Sequence, residues 1–137
     1  MICKNVNDTI KIGENFAKKL KGGEVILLRG DLGAGKTHFV KGAALGLGVT
    51  QTVTSPTFTL HNIYEGTKLT LNHFDFYRIN EEEAAELGLE EYFNRANGVC
   101  FIEWAENIAG LLPKENIIVN ITVIGNNERE ITISNFD

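Results

Sequence analysis

The run Gly30-Asp31-Leu32-Gly33-Ala34-Gly35-Lys36-Thr37 satisfies the pattern G-x-x-x-x-G-K-[ST] at every fixed position. Each residue type answers a physical demand of a phosphate site. Glycines let the backbone turn tightly and aim several N–H groups at oxygen atoms, while Lys36 reaches the terminal phosphates and Thr37 supplies a hydroxyl for a magnesium ion. The cofactor-binding stretch accordingly runs through Asp31, Leu32, Gly33, Ala34, Gly35, Lys36, Thr37 and His38, and its ligand is a nucleoside triphosphate.

Turnover needs more than a cradle: a carboxylate near the metal, and a group to orient the attacking oxygen. Apolar strands that end in an acid are the natural source, and there are two. Glu103 closes Val99-Cys100-Phe101-Ile102, which suits a strand beside that of the glycine loop, and Asp75 lies within His73-Phe74-Asp75-Phe76-Tyr77-Arg78. Glu103 is read as the carboxylate near Mg²⁺, with Thr37 as its metal-binding companion, and Asp75 as the acid that orients a water; the two acids can exchange roles. Lys36, Asp75 and Glu103 form the catalytic set.

Other residues offer a choice of roles. Trp104, the single tryptophan, follows Glu103 and packs either on the loop, on a partner or in the core. Ser55-Pro56-Thr57-Phe58 presents Ser55 and Thr57 on a proline turn, either as a phosphate-sensing switch or as the entry to a strand. His61 and His73 lack metal-ligand spacing. Arg78 pairs with phosphate or with an acid such as Glu82.

The elements that must hold these residues follow from periodicity. Gly23 to Arg29 is a short apolar run that suits a strand buried on both faces of a parallel sheet. After the loop, Phe39, Val40, Ala43, Ala44 and Leu47 recur at helical spacing, so phosphate would meet a helix N-terminus. Upstream, Met1 to Lys4 reads as an edge strand, followed by a helix capped by Asn7, Asp8 or Thr9 and ended by Gly22 and Gly23. Downstream, Val49 to Pro56 reads as a loop, and Thr57–Tyr64 and Leu69–Phe76 as an antiparallel pair. Short helices are expected over Glu81–Leu87, capped by Asn80, over Glu90–Arg95, and over Ala105–Leu112 before Pro113. Alternation from Ile117 to Ile133 around Gly125-Asn126-Asn127 predicts a C-terminal hairpin. The expected fold class is α/β: a single-domain P-loop NTPase fold over residues 1–137, with a mixed central β-sheet flanked by helices.

Bulk properties narrow the partners. The formal net charge of -5 argues against a duplex-binding surface and hence against DNA. No apolar run approaches the ~18 residues of a bilayer span, so no membrane partner is expected and the expected location is cytoplasmic. Cys3 and Cys100 read as buried reduced thiols.

In order along nearly the whole chain, the glycine loop, Ser55-Pro56-Thr57-Phe58, His73-Phe74-Asp75-Phe76-Tyr77-Arg78 and Glu103-Trp104 resemble the bacterial TsaE family, formerly called YjeE. The resemblance implies a small ATPase, using ATP and Mg²⁺, that supports threonylcarbamoyl-adenosine (t6A) formation in tRNA. It implies work with TsaD, the threonylcarbamoyl-transferase, and TsaB, tRNA contact only through that complex, and hydrolysis that is weak without partners. Carried over by position, Thr37 and Glu103 surround Mg²⁺, Asp75 is the other functional acid, Thr57 lies in the switch-like loop and Trp104 is the aromatic residue beside the acid. The family commonly has a second hydroxyl residue after the loop threonine; this chain has His38, and that role does not transfer.

Two other classes remain: a small-molecule kinase of P-loop fold and a non-catalytic nucleotide-dependent switch. A kinase needs an acceptor site and usually an arginine-bearing lid, and no segment resembles one. The guanine-reading Asn-Lys-x-Asp element is absent, which disfavours a GTP switch.

Overall fold

The computed structural model describes residues 1–31, 33–56 and 59–136. Its centre is a seven-stranded sheet of order β1-β7-β6-β2-β5-β4-β3. The strand that leads into the glycine loop, β2 (Val25–Arg29), lies in the middle, parallel to β5 (Gly98–Glu103) on one side and to β6 (Ile117–Gly125) on the other. Val25 to Leu28 are all buried, as a strand covered on both faces requires. Beyond β5, β4 (Thr70–Asp75) continues the parallel run and β3 (His61–Tyr64) is antiparallel to it. At the other edge β7 (Glu128–Ser134) and β1 (Ile2–Cys3) are antiparallel additions. The sheet is mixed, as the sequence predicts.

Period-two alternation sorts the side chains into two cores. Ile26, Leu28 and Phe101 face the layer formed by α1 (Val6–Lys18) and α2 (Lys36–Gly46). There Phe16, Phe39 and Phe101 meet with ring centroids 5.7 to 6.4 Å apart. Val25, Leu27, Phe74, Phe76 and Ile102 face the opposite layer, made of α3 (Glu81–Glu86) and the 3-10 segments Leu89–Tyr92 and Ala105–Leu111.

The helix α1 buries Thr9, Gly13, Phe16 and Ala17, a single stripe at helical spacing. Its cap is Asn5, two residues before the expected start, because the Asn5 side chain accepts the Asp8 amide at 2.9 Å. It ends at Lys18, ahead of Gly22 and Gly23. The two helices cross very closely: a Cβ on Gly13 would collide with the Phe39 carbonyl, and one on Gly42 with that of Ile10.

Most other boundaries shift by a few residues. The cap of α3 is Asn80, in a reciprocal pair with Glu83. The helices expected over Glu90–Arg95 and Ala105–Leu112 are 3-10 segments, and Ile108 at φ -128° interrupts the second. The strand expected from Thr57 begins at His61; Thr57 and Phe58 lie outside the described residues. The hairpin turn is Asn126-Asn127, with Asn127 left-handed at φ 61°. Cys3 and Cys100 are buried free thiols, as expected. No helix among the described residues is long and apolar enough to cross a membrane.

Candidate functional site

At the carboxyl ends of β2, β5 and β4 the chain opens into a pocket of about 300 Å³. Its floor is the glycine loop. Gly33 and Gly35 hold φ of 83° and 102°, and among the described residues, chain neighbours aside, no heavy atom lies within 4 Å of where a Cβ on either would stand. Their glycine identity therefore answers a conformational demand, and the space above the backbone stays open for a ligand. Gly35 then caps α2, whose first residues Lys36 and Thr37 present a helix N-terminus to the pocket.

The register of the sheet sets the acids. Asp75 and Glu103 are partners across the parallel pair β4 and β5, so both side chains point to the face of α1 and α2. Asp75 is 5% and Glu103 6% exposed. Glu103 Oε1 lies 3.6 Å from Lys36 Nζ, and its Oε2 lies 2.7 Å from His73 Nε2. Burial pushes the Glu103 carboxyl up, but the hydrogen bond from His73, together with the Lys36 ammonium, outweighs it and holds the group below its ordinary value. Glu103 is therefore an anion at neutral pH. Asp75 Oδ1 accepts the Tyr77 amide at 2.9 Å, which fixes the turn after β4.

Trp104, directly after Glu103, is held in the left-handed region at φ 59°. Such a backbone costs ~1–3 kcal/mol in a non-glycine residue and persists only where its surroundings demand it. The half-buried indole lies against Lys36, with Nζ 5.2 Å from the ring centroid, and against Tyr77 at 4.9 Å between centroids. Of the roles open to Trp104, packing on the loop lysine and packing against the core are both observed.

The pocket wall gathers most of the residues singled out in the sequence. Gly33 to His38 line it, and Ser55, Asp75, Glu103 and Trp104 join them. Asp31 does not: it is exposed, and its carbonyl accepts the Ala34 amide within the loop. Leu32 and Thr57 lie outside the described residues. His38 Nδ1 is buried with no hydrogen-bond partner among the described residues.

Sequence reasoning missed several contributors. Asn5, Val6 and Thr9, from the start of α1, form one wall; only the burial of polar Thr9 on an apolar stripe hints at this, and burial is not visible in sequence. Arg129, on β7, donates through Nε to the Ala34 carbonyl at 3.0 Å and through Nη2 to that of Gly33 at 3.3 Å, bracing the loop from the hairpin. His73 lacks metal-ligand spacing in the sequence, yet its ring is fully buried against Glu103. The signal was present, because His73 and Asp75 are two apart on one strand and so share a face.

The donors available to a metal are the Thr37 hydroxyl and the carboxylates of Glu103 and Asp75. These hard oxygens suit Mg²⁺, which keeps waters and substrate phosphates as ligands and needs no all-protein cage. Among the described residues no group of three or more His, Cys, Asp or Glu could form such a cage.

Residues 3–131 match the family model described as threonylcarbamoyl adenosine biosynthesis protein TsaE. A protein of Bacillus subtilis named tRNA threonylcarbamoyladenosine biosynthesis protein TsaE is 48% identical over 130 residues, covering 95% of this chain and 81% of its own length. One of the same name from Treponema pallidum is 42% identical over 134 residues, covering 97% and 98%. The crystal structure of YdiB from Bacillus subtilis superposes with a TM-score of 0.84 at 43% identity, covering 97% of this chain and 82% of that one. On sequence and fold together, this chain belongs to the TsaE family.

Proposed function

We propose that this chain is a Mg²⁺-dependent ATPase of tRNA threonylcarbamoyladenosine biosynthesis, acting with TsaD and TsaB and meeting tRNA through their complex. The observation that carries the reading is the placement of Lys36, Asp75 and Glu103 around the pocket that the glycine loop floors, in a chain of this family.

In this reading the amides of Gly33 to Thr37 and the N-terminus of α2 bind the phosphates, and Lys36 leaves Glu103 for the terminal phosphate oxygens. Thr37 and Glu103 would hold Mg²⁺, which would supply charge to neutralise the terminal phosphates. Asp75, anchored through the Tyr77 amide, orients the attacking water. Trp104 shields the lysine from solvent and raises the strength of its contacts in the pocket. Arg129 keeps the loop in its open, anion-ready shape. The site's residues span Asn5 to Arg129, which supports treating residues 1–137 as one functional unit.

The test measures ATP hydrolysis by the chain alone, with candidate metabolite acceptors, and with TsaB and TsaD, together with tRNA modification over many turnovers. Sustained modification that depends on this chain and on ATP is expected. Phosphorylation of an acceptor would overturn the reading in favour of a kinase, and modification unaffected by omitting the chain would overturn it altogether.

A further inference from the structure

We propose that His73 is a positioning residue: through a proton on Nε2 it clamps Oε2 of Glu103, so that Oε1 stays aimed into the pocket when Lys36 turns to phosphate. This rests on the reading of Glu103 as the carboxylate at the metal.

The chemistry of the contact dictates the proton's place. An ionised carboxylate only accepts hydrogen bonds, so a nitrogen 2.7 Å from Oε2 must carry hydrogen, or two lone pairs would face each other. The other ring nitrogen, Nδ1, is buried with no partner among the described residues, so a proton there would gain no hydrogen bond. The ring is therefore placed with Nε2–H toward Glu103 and Nδ1 bare.

The second half of the argument concerns what happens when nucleotide enters. Glu103 divides its oxygens between two partners, Oε1 to Lys36 and Oε2 to His73. Lys36 has two claims on it, and phosphate is the stronger. Once the lysine leaves, a carboxylate with no other anchor is free to rotate about its terminal bond. His73 cannot leave: it is fully buried, in the middle of β4 with its register partner Phe101 in the aromatic core. It is the fixed point of the pair.

The experiment compares His73→Ala, His73→Gln and Glu103→Gln, reading nucleotide affinity in EDTA, nucleotide affinity as a function of Mg²⁺, and hydrolysis. Glutamine can place an amide N–H where Nε2 stood. For His73→Ala we expect nucleotide affinity in EDTA to hold while the Mg²⁺ requirement rises ~10- to 100-fold, the usual cost of losing a residue that orients a metal ligand. His73→Gln should recover most of it. A separate readout, ¹⁵N NMR of the wild-type imidazole, should place the proton on Nε2, and needs no variant to fold. An unchanged Mg²⁺ requirement in His73→Ala while Glu103→Gln raises it would overturn the positioning role alone, as would a Nδ1–H ring. No effect of Glu103→Gln would instead overturn the metal role of Glu103. A loss in His73→Ala that His73→Gln does not recover would mark His73 as a packing residue and sink the proposal.

Discussion

Lys36 Nζ stands 3.6 Å from Glu103 Oε1, and both side chains are all but removed from solvent, at 8% and 7% exposure. The loop lysine is thus already paired with the acid it works beside. On the proposed function, nucleotide binding is an exchange of partners in which phosphate displaces carboxylate, and the cost of parting the pair comes off the affinity. Lys36→Ala is expected to weaken ATP binding roughly 100-fold, because charge-assisted contacts to phosphate are worth a few kcal/mol. The fold should survive with a loss of about 1–3 kcal/mol, since Glu103 keeps His73. Calorimetric titration and urea unfolding on one preparation measure both; normal binding by the folded variant would refute the exchange.

Trp104 offers a signal for the same event. It is the only tryptophan, so intrinsic emission comes from the ring that packs on Lys36. Saturating ATP should change emission intensity or wavelength as the ammonium moves away. Trp104→Phe should abolish the signal and retain binding. Loss of the ring altogether, in Trp104→Ala, should remove about 0.5–1 kcal/mol of cation–π attraction. Constant emission at nucleotide concentrations known to saturate would contradict the movement of Lys36.

Arg129 is predicted to act on the loop's shape. Arg129→Ala removes donors to the Gly33 and Ala34 carbonyls. At about 0.5–1.5 kcal/mol net per hydrogen bond, affinity for ATP should fall roughly tenfold. Hydrogen exchange should quicken at the amides of residues 33–36 while those of β2 stay protected. Equal exchange in variant and wild type would show that the loop keeps its shape unaided.

The Cys100 thiol is pushed up to about 12 by burial, only slightly opposed by the nearby Arg95 charge, and it donates to the Tyr92 carbonyl at 3.1 Å. In the unfolded chain it ionises near its ordinary value of 9.0. The raised folded value means that the thiol's contribution to stability is intact below pH 9.0 and is lost progressively as the pH rises toward 12. Thiol-reactive dyes should therefore label Cys100 at neutral pH only as fast as the protein opens. Comparing urea midpoints of wild type and Cys100→Ala at mildly and strongly alkaline pH isolates the effect from other titrations, and the gap should shift in the variant's favour at the higher pH.

Much of the site's placement could be read from local pattern. An apolar run ending in an acid places Glu103 at the carboxyl end of a central strand, and the glycine loop carries its own geometry. What escaped were contacts that no local pattern encodes. His73 joins Glu103 only because β4 and β5 pair in one particular register. Asn5 displaced the expected caps because a side chain two residues earlier reaches the free amide first. The short helices failed as α-helices for a different reason: segments this brief answer to packing against the sheet more than to their own propensity.

The brace between Arg129 and Ala34 spans 95 residues of chain. During synthesis the glycine loop leaves the ribosome long before Arg129 exists, at a stage when its motif is complete and its pocket is not. On the proposed function, tight nucleotide capture thus waits for the hairpin, and any cut that removes it would leave the signature of a nucleotide-binding protein on a chain lacking one wall of the vessel.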